Sequence, residues 1–595
     1  MFFTSHNTPQ MTCTCRRPWL LVELALWASV CSATRRQACT DTMGFEALLQ
    51  RGGELEALDQ AAAADCLGLA VRVEPRNSLA WARLAELLQR SGKAHEALDT
   101  IAEGLKRLPS WDSGGTVQLI TMRAQAEEVL GQHEAAKDSY LHAIKVLPLN
   151  YMTWYNLGYH YMTKHEYEAS HAAFRRSVDL NPSFGRAAEA VGAVHFGDGQ
   201  EELSIPWFER AVELMPKEVS TRLNLANALG KIDRAEAAVE AYNAVLALDP
   251  AHKDAACKVA YFRVQLCDWR EYNGYMKRIL NIIKQDKESG RTSHLIPFNG
   301  LMMPVSIADQ LYLAQSHAQR HKAVTPLPPP YDHGRGGERA WGNRGGGGGQ
   351  LRVGYLSADF RNHPMGRELS VLLPAHEQQD VQVFCYAQNP PNEVHDGPYR
   401  AKFVRGVHAF REINALSDLA VAQLMREDKL DILVDLMGYT HGARDGVIAH
   451  RPVGVQIAFK GYMSTMGSAY HDGLVADLVS VPAEMAPYYS EALLHVAPVF
   501  SASTHAINHP DVPYLAAVSR KDAKLPRDPE VFVFACFNSL YKITPSLFNI
   551  WLRILKRVPK SVMWLLKEPA EAADHLCRAA KAKGVPCSRL IFTRF

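Results

Sequence analysis

Residues 151–182 read YMTWYNLGYHYMTKHEYEASHAAFRRSVDLNP. Trp154, Leu157, Gly158 and Tyr161 recur at three- and four-residue steps, which places them on one face of a helix. Ser170, Phe174 and Ser177 mark the same face of a second helix, and Pro182 closes the unit. The small residues let the two helices approach, and the large ones fill the space between. Prolines repeat the punctuation at Pro75, Pro109, Pro148, Pro182, Pro216 and Pro250, with gaps of 34, 39, 34, 34 and 34 residues. The stretch Asp112-Ser113-Gly114-Gly115-Thr116 is the natural place for the five extra residues of the long gap.

A period of 34 is that of the tetratricopeptide repeat, two helices per unit. Trp81, Leu84, Ala97 and Pro109 reproduce the pattern earlier; Phe208, Ala211 and Pro216, then Leu225, Ala238, Tyr242 and Pro250, reproduce it later. Each unit leaves an apolar face that only a neighbour covers, so the units stack into a superhelix, and its concave face suits an extended peptide. Protein partners are therefore expected here, and self-association through the repeats is compatible with the pattern. Asn156 and Asn224 stand one residue before the packing Leu of their units. A side-chain amide both donates and accepts, so the pair is a candidate clamp for an acceptor peptide's backbone; a solvated helix face is the alternative.

Composition sets the outer limits. The chain has 595 residues, 47% of them apolar and 22% charged, which excludes a disordered, collagen-like or disulfide-scaffold protein. Lys plus Arg is 65 and Asp plus Glu 63, a net charge of +2, so nothing global calls for nucleic acid or an anionic membrane as partner. Eleven Cys at scattered spacings without a CxxC read as reduced thiols of an intracellular protein rather than a disulfide framework. Arg16-Arg17 before the apolar run Trp19–Val30 resembles a secretory signal, interrupted by Glu23, and leaves secretory entry open. No other run is long and uncharged enough to suggest a membrane span.

Past the repeats, Cys267-Asp268-Trp269 opens a helical join that runs to about His321. Pro326, Pro328, Pro329 and Pro330 break it, and Gly334–Gly349, GRGGERAWGNRGGGGG, reads as a flexible linker. The period then changes. Val353–Ser357, Val381–Tyr386, Ile432–Leu436, Val455–Phe459 and Leu474–Val481 read as strands, with a helix at Leu416–Glu427. Strands alternating with helices predict a parallel doubly wound sheet, in which ligands sit beyond the carboxyl ends of the strands. After a polar link, Val531–Ala535, Val562–Leu566 and Leu590–Phe592 begin a second sheet, with helices opening at Pro545 and Ala570. The predicted organisation is a leader (1–44), repeats (45–265), join (266–330), linker (331–350), first lobe (351–500), link (501–528) and partial second lobe (529–595). The fold class is an α-solenoid followed by α/β, two Rossmann-like lobes, the second incomplete.

Polar clusters stand where these strands end. Asp359 and His363 are four apart, so one turn brings a carboxylate to an imidazole, a usable acid–base pair; an unremarkable loop Asp and His is the alternative. Gly438-Tyr439-Thr440-His441-Gly442-Ala443-Arg444 and Lys460-Gly461-Tyr462-Met463-Ser464-Thr465 are the other two clusters, with glycines that admit a ligand close to backbone. Lys542 stands at a strand-to-helix turn before Pro545, a good place for a fixed cation to hold a diphosphate.

Together these marks resemble the protein O-GlcNAc transferase family: CDW at Cys267, PPYDH at Pro329, LRVGYLSADF-x-NHP at Leu351, GYTHGAR at Gly438, and FNSLYKITP with LKRVP from Phe537. The resemblance implies a GT-B glycosyltransferase moving N-acetylglucosamine from UDP-GlcNAc to Ser or Thr of proteins, with inversion and with neither cofactor nor metal. It implies His363 and Asp359 as catalytic residues. It places Lys542, Tyr541, Ser539, Gly461, Leu566 and Pro364 at the donor, and Tyr439 and Thr440 at the acceptor. The SPINDLY-type O-fucosyltransferases share the architecture but lack these NHP and GYTxGAR loops, so GlcNAc is preferred over fucose. The chain departs from the family at Lys460-Gly461-Tyr462-Met463-Ser464-Thr465, where LGYPGT is usual. It departs again at Ser539 and Met365, and at Phe298-Asn299, where animal members carry a His pair. The family continues past Phe592 with an HTTGMD-like stretch and a Lys-x-x-His pair. The expectation is therefore a truncated polypeptide of little or no activity, with a repeat scaffold carrying a degenerate transferase half as the alternative.

Overall fold

The computed structural model describes residues 39–40, 42–327, 350–377, 381–510 and 519–593. The signal-like stretch and the Gly/Arg-rich linker lie outside the described residues. The chain divides into two compact units, Met1–Ile232 and Asp233–Phe595. The boundary falls inside the last predicted repeat, so its second helix, Ala235–Leu248, belongs to the second unit.

The first unit is a run of antiparallel helix pairs, Phe45–Leu55 with Gln60–Val73 through Gly185–Gly197 with Glu201–Leu214, followed by Val219–Lys231. The pattern read at 151–182 is the packing itself. Phe174 is fully buried on Gly158, where an added Cβ would sit 2.7 Å from its ring. Ser170 and Ser177 donate across the pair to the carbonyls of Gly158 and Tyr151, each at 2.8 Å. Trp154 and Trp81 each donate an indole N–H to the proline carbonyl six residues back, Pro148 and Pro75, at 2.9 Å. The extra residues near 112 are not a loop. They lengthen a helix, Ser113–Val129, to 17 residues against 13 in its counterparts. Asp112 caps it by accepting from Gly115 N–H at 2.8 Å.

The second unit carries two parallel sheets. In the first, β1 (Leu351–Ser357), β2 (Val381–Ala387), β3 (Ala409–Glu412), β4 (Ile432–Asp435), β5 (Val455–Ala458), β6 (Gly473–Ala476) and β7 (Ala492–His495) lie in the order β3-β2-β1-β4-β5-β6-β7. The order reverses between β1 and β4, and the loops after β1, β4 and β5 open at that carboxyl edge, where a doubly wound sheet binds its ligands. Strands β3 and β7 are additions to the sequence reading, and β6 is shorter than expected. Its end is set by Asp477, whose carboxylate accepts from the Ser480 (2.7 Å), Phe500 (3.0 Å) and Val479 (2.9 Å) N–H groups. Those bonds turn the chain and hold its pKa down to about 2. The second sheet has β8 (Phe532–Cys536), β9 (Ser561–Leu566) and β10 (Leu590–Thr593) in the order β10-β9-β8.

The helical join is part of this core. Helix Tyr272–Glu288 and the segment after it are tied by Asp286, fully buried between Lys253 Nζ (2.7 Å) and His294 Nδ1 (2.9 Å). Helix Ile307–Ala318 lies on the first lobe, where Gln310 donates to the Tyr462 hydroxyl at 2.8 Å. Cys267 is buried in the second lobe's core with Leu540, Phe548 and Leu565. One expectation is corrected: Cys39 is bonded to Cys66 and Cys577 to Cys587, so four of the thiols read as reduced are disulfides. Their separations of 27 and 10 residues match no spacing signature, and only the packing of helices brings them together. Among the described residues no helix is long and apolar enough to cross a membrane.

Candidate active site

A cavity of about 1140 Å³ opens at the carboxyl edge of β1, β4 and β5. The first lobe supplies Asp359, His363, Thr440 and Gly461, and the second supplies Tyr541 and Lys542. Six of the residues singled out from sequence thus share one space.

Ser357 ends β1 fully buried, and its hydroxyl accepts from Asp359 N–H at 2.9 Å, which folds the chain back on itself. This brings Asp359 Oδ2 to 3.3 Å from His363 Nδ1, with Arg361 Nη2 3.7 Å from the other carboxylate oxygen. The Met365 N–H also points at His363 Nδ1, at 3.4 Å. The ring nitrogen therefore stands between an acceptor and a donor, and its tautomer follows whichever bond shortens. Burial lowers the His363 pKa, as do Arg361 and Arg367, against the opposing pull of Asp359. The imidazole is thus neutral near pH 7 and able to take a proton.

Lys542 closes the 3₁₀ turn Leu540–Lys542. The turn is anchored from behind. Burial pushes the Cys267 thiol up to about 12, so it keeps its proton and donates to the Leu540 carbonyl at 3.2 Å. The helix Pro545–Arg557 follows, with Thr544 as its cap, accepting from Leu547 N–H at 3.2 Å. Its first turn faces the cavity through Pro545 and Ser546. Exposed Lys542 and the positive end of this helix together make a site for anionic oxygens.

Gly461 forms the floor, and any side chain there is excluded: an added Cβ would lie 1.9 Å from the Leu436 carbonyl oxygen. Its neighbour Lys460, the departure from LGYPGT, does not enter the cavity. Its buried ammonium pairs with Glu368 and donates to Ser501 Oγ at 3.0 Å. Thr440 faces the cavity with its hydroxyl donated to the Met437 carbonyl at 2.8 Å.

Other residues stand elsewhere. Tyr439, read as an acceptor contact, is a core residue; it is 4% exposed and its hydroxyl donates to the Met466 carbonyl. In the turn after β4 the Tyr439 ring packs inward while Thr440 faces the cavity. Ser539, Leu566 and Pro364 do not line the cavity. In the first unit, Asn224 donates an amide hydrogen to Glu189 at 2.9 Å, a contact between neighbouring repeats rather than a free clamp, and Asn156 is half-buried. The sequence reading missed the apolar wall, built by the join from Tyr272, Phe298, Leu301, Met302 and Met303. No motif marks these residues; the position of Phe298, where the resemblance led one to look for a His pair, was the available signal.

Comparison with known proteins places this geometry. The family profile described as glycosyl transferase family 41 matches residues 266–512 and 502–595, and tetratricopeptide profiles match 155–218 and 219–252. A probable UDP-N-acetylglucosamine–peptide N-acetylglucosaminyltransferase, SEC, of Arabidopsis thaliana is 32% identical over 331 residues, 55% of this chain and 33% of that protein. A similarly named SPINDLY protein of Petunia hybrida is 30% identical over 213 residues, 36% of this chain and 22% of that protein. The chain thus spans a third or less of the length of these relatives. A solved mutant O-GlcNAc transferase of Thermobaculum terrenum aligns over 75% of this chain and 74% of its own, at 23% identity and a TM-score of 0.46. The family profile runs over more than half of the residues, including every residue of the cavity, and the chain belongs to glycosyl transferase family 41.

Proposed function

We propose that the second unit transfers N-acetylglucosamine from UDP-GlcNAc to Ser or Thr hydroxyls of proteins presented by the repeats. The observation that carries this is a single cavity with an acid–base pair, Asp359 and His363, on one lobe and a cation at a helix N-terminus, Lys542, on the other. An acceptor hydroxyl oxygen attacks the anomeric carbon, and the bond from that carbon to the diphosphate oxygen breaks. The hydroxyl proton passes to the His363–Asp359 pair, and the negative charge left on UDP falls to Lys542 and the helix terminus. These protein groups supply the leaving-group stabilisation, so this reading assigns no metal or cofactor.

The test is UDP binding by calorimetry together with transfer from labelled UDP-GlcNAc to a Ser/Thr peptide library by the purified chain. Absence of both overturns the reading; binding without transfer on any acceptor supports the scaffold alternative. The resemblance to the SPINDLY-type O-fucosyltransferases gives the second reading, fucose transfer, and the same assay run with a fucose nucleotide donor separates the two. The proposed compartment is nucleus and cytoplasm. Its competitor, an oxidising lumen, is favoured by the two disulfides, and alkylation of Cys577 and Cys587 in intact cells decides between them.

A further inference from the structure

Asp435 ends β4, just before the loop that carries Thr440 and His441 to the cavity. Its carboxylate turns back onto that loop. Oδ1 accepts from Met437 N–H at 2.9 Å and Oδ2 from Gly438 N–H at 3.1 Å. Gly438 is in the left-handed region, φ +53°, and an added Cβ there would sit 2.3 Å from Tyr462, so one defined loop path is permitted. A third group reaches the same carboxylate: His471 Nε2 lies 3.2 Å from Asp435 Oδ2. The other ring nitrogen, Nδ1, is 2.7 Å from Ser468 Oγ. Each of Ser468, His471 and Asp435 is only about 5% exposed.

The chain Ser468–His471–Asp435 has the connectivity of a hydrolase relay, but it is sealed in the core and none of the three lines the cavity. Its chemistry is orientation. With the Ser468 hydroxyl donating to Nδ1, the ring proton sits on Nε2 and donates to Asp435. Every group is then satisfied, and the buried carboxylate has three donors. Without the imidazole, Asp435 keeps only the two loop N–H groups. A buried carboxylate short of a donor shifts towards water, and that movement releases the loop.

We propose that His471 is a positioning residue for glycosyl transfer, acting through Asp435 to fix the 437–441 loop at the acceptor side of the cavity; this rests on the transferase reading above. The diphosphate side is on the other lobe and is left intact, so the expected signature is a split.

The test compares His471→Met with His471→Gln, whose amide N–H can replace Nε2–H. His471→Met is expected to lower kcat by about 10- to 100-fold, with UDP affinity unchanged to within about twofold. His471→Gln recovers most of the rate. Independently of transfer, hydrogen exchange at Met437 and Gly438 speeds up in His471→Met, returns towards wild type in His471→Gln, and is unchanged in β1 and β2. Wild-type kcat and wild-type exchange in His471→Met overturn the proposal. So does protection lost across the whole sheet to the same degree in both variants, which marks a plain core residue. If the wild-type chain transfers nothing, the transferase reading fails while the exchange comparison still decides whether His471 sets the loop.

Discussion

Lys542→Ala isolates the cation assigned to the diphosphate. The side chain is exposed at the cavity edge, so its full Coulomb energy in a dry interior does not apply; a hydrogen bond to a charged group in such a setting is worth about 1.5–3 kcal/mol. At about 1.4 kcal/mol per tenfold, that is roughly a 12- to 140-fold rise in the Kd for UDP. Folding should be untouched, because Leu540 and Ile543, not Lys542, carry the turn's burial. Calorimetric titration of UDP into wild type and variant, at low and high salt, measures the loss and its screening. Lys556→Ala is the control, since Lys556 lies on the same helix but does not line the cavity. A change below about threefold for Lys542→Ala, or an equal loss for Lys556→Ala, would refute a specific diphosphate contact at this turn.

Because His363 is held below its ordinary pKa, the acid limb of kcat/KM should fall below pH ~6.5, rate being lost as pH drops and the base protonates. Asp359→Asn removes the charge that opposes this shift, so its limb moves to still lower pH while the maximum falls; a limb that stays put or moves up contradicts the pairing. Phe174→Ala should cost the repeat unit ~3–5 kcal/mol in urea unfolding, since the ring is wholly buried on Gly158; a loss under about 1 kcal/mol means the neighbours collapse to fill the gap. Glu368→Gln strands the buried Lys460 ammonium and should destabilise by ~3 kcal/mol, whereas the double change Glu368→Leu with Lys460→Met should be nearly neutral in thermal denaturation. Equal melting points for the two variants would count against the pair.

The sequence is most legible where chemistry and period coincide. Strands β1, β2 and β4 are apolar runs buried on both faces, and β5, whose burial alternates, was visible as well from its β-branched residues. Strand β3, Ala-Phe-Arg-Glu, and β7, Ala-Leu-Leu-His, lie at the two edges of the sheet, four residues long and partly exposed, so neither burial nor length marks them out. Asp359, His363 and Lys542 were legible because their residue types and strand-end positions already limit what they can do. Tyr439 was misplaced because a motif names neighbours without saying which of them points inward. His471 and the apolar wall were invisible for a different reason: partners 36 residues from His471, or on another lobe altogether, become neighbours only through packing.

The wall has a practical corollary for how this enzyme half can be cut. Composition suggests starting a fragment at Leu351, just past the glycine run, but such a fragment would expose one side of its own cavity. It would also lose the Cys267 thiol that anchors the Lys542 turn, and the partners of Tyr541 and Tyr462. A start near Asp233 keeps all of them, along with the Glu236 carboxylate 3.1 Å from His575 on the far helix. The smallest portable piece of this protein is therefore defined by its chamber rather than by its linker, and it carries the last half-repeat as part of its own shell.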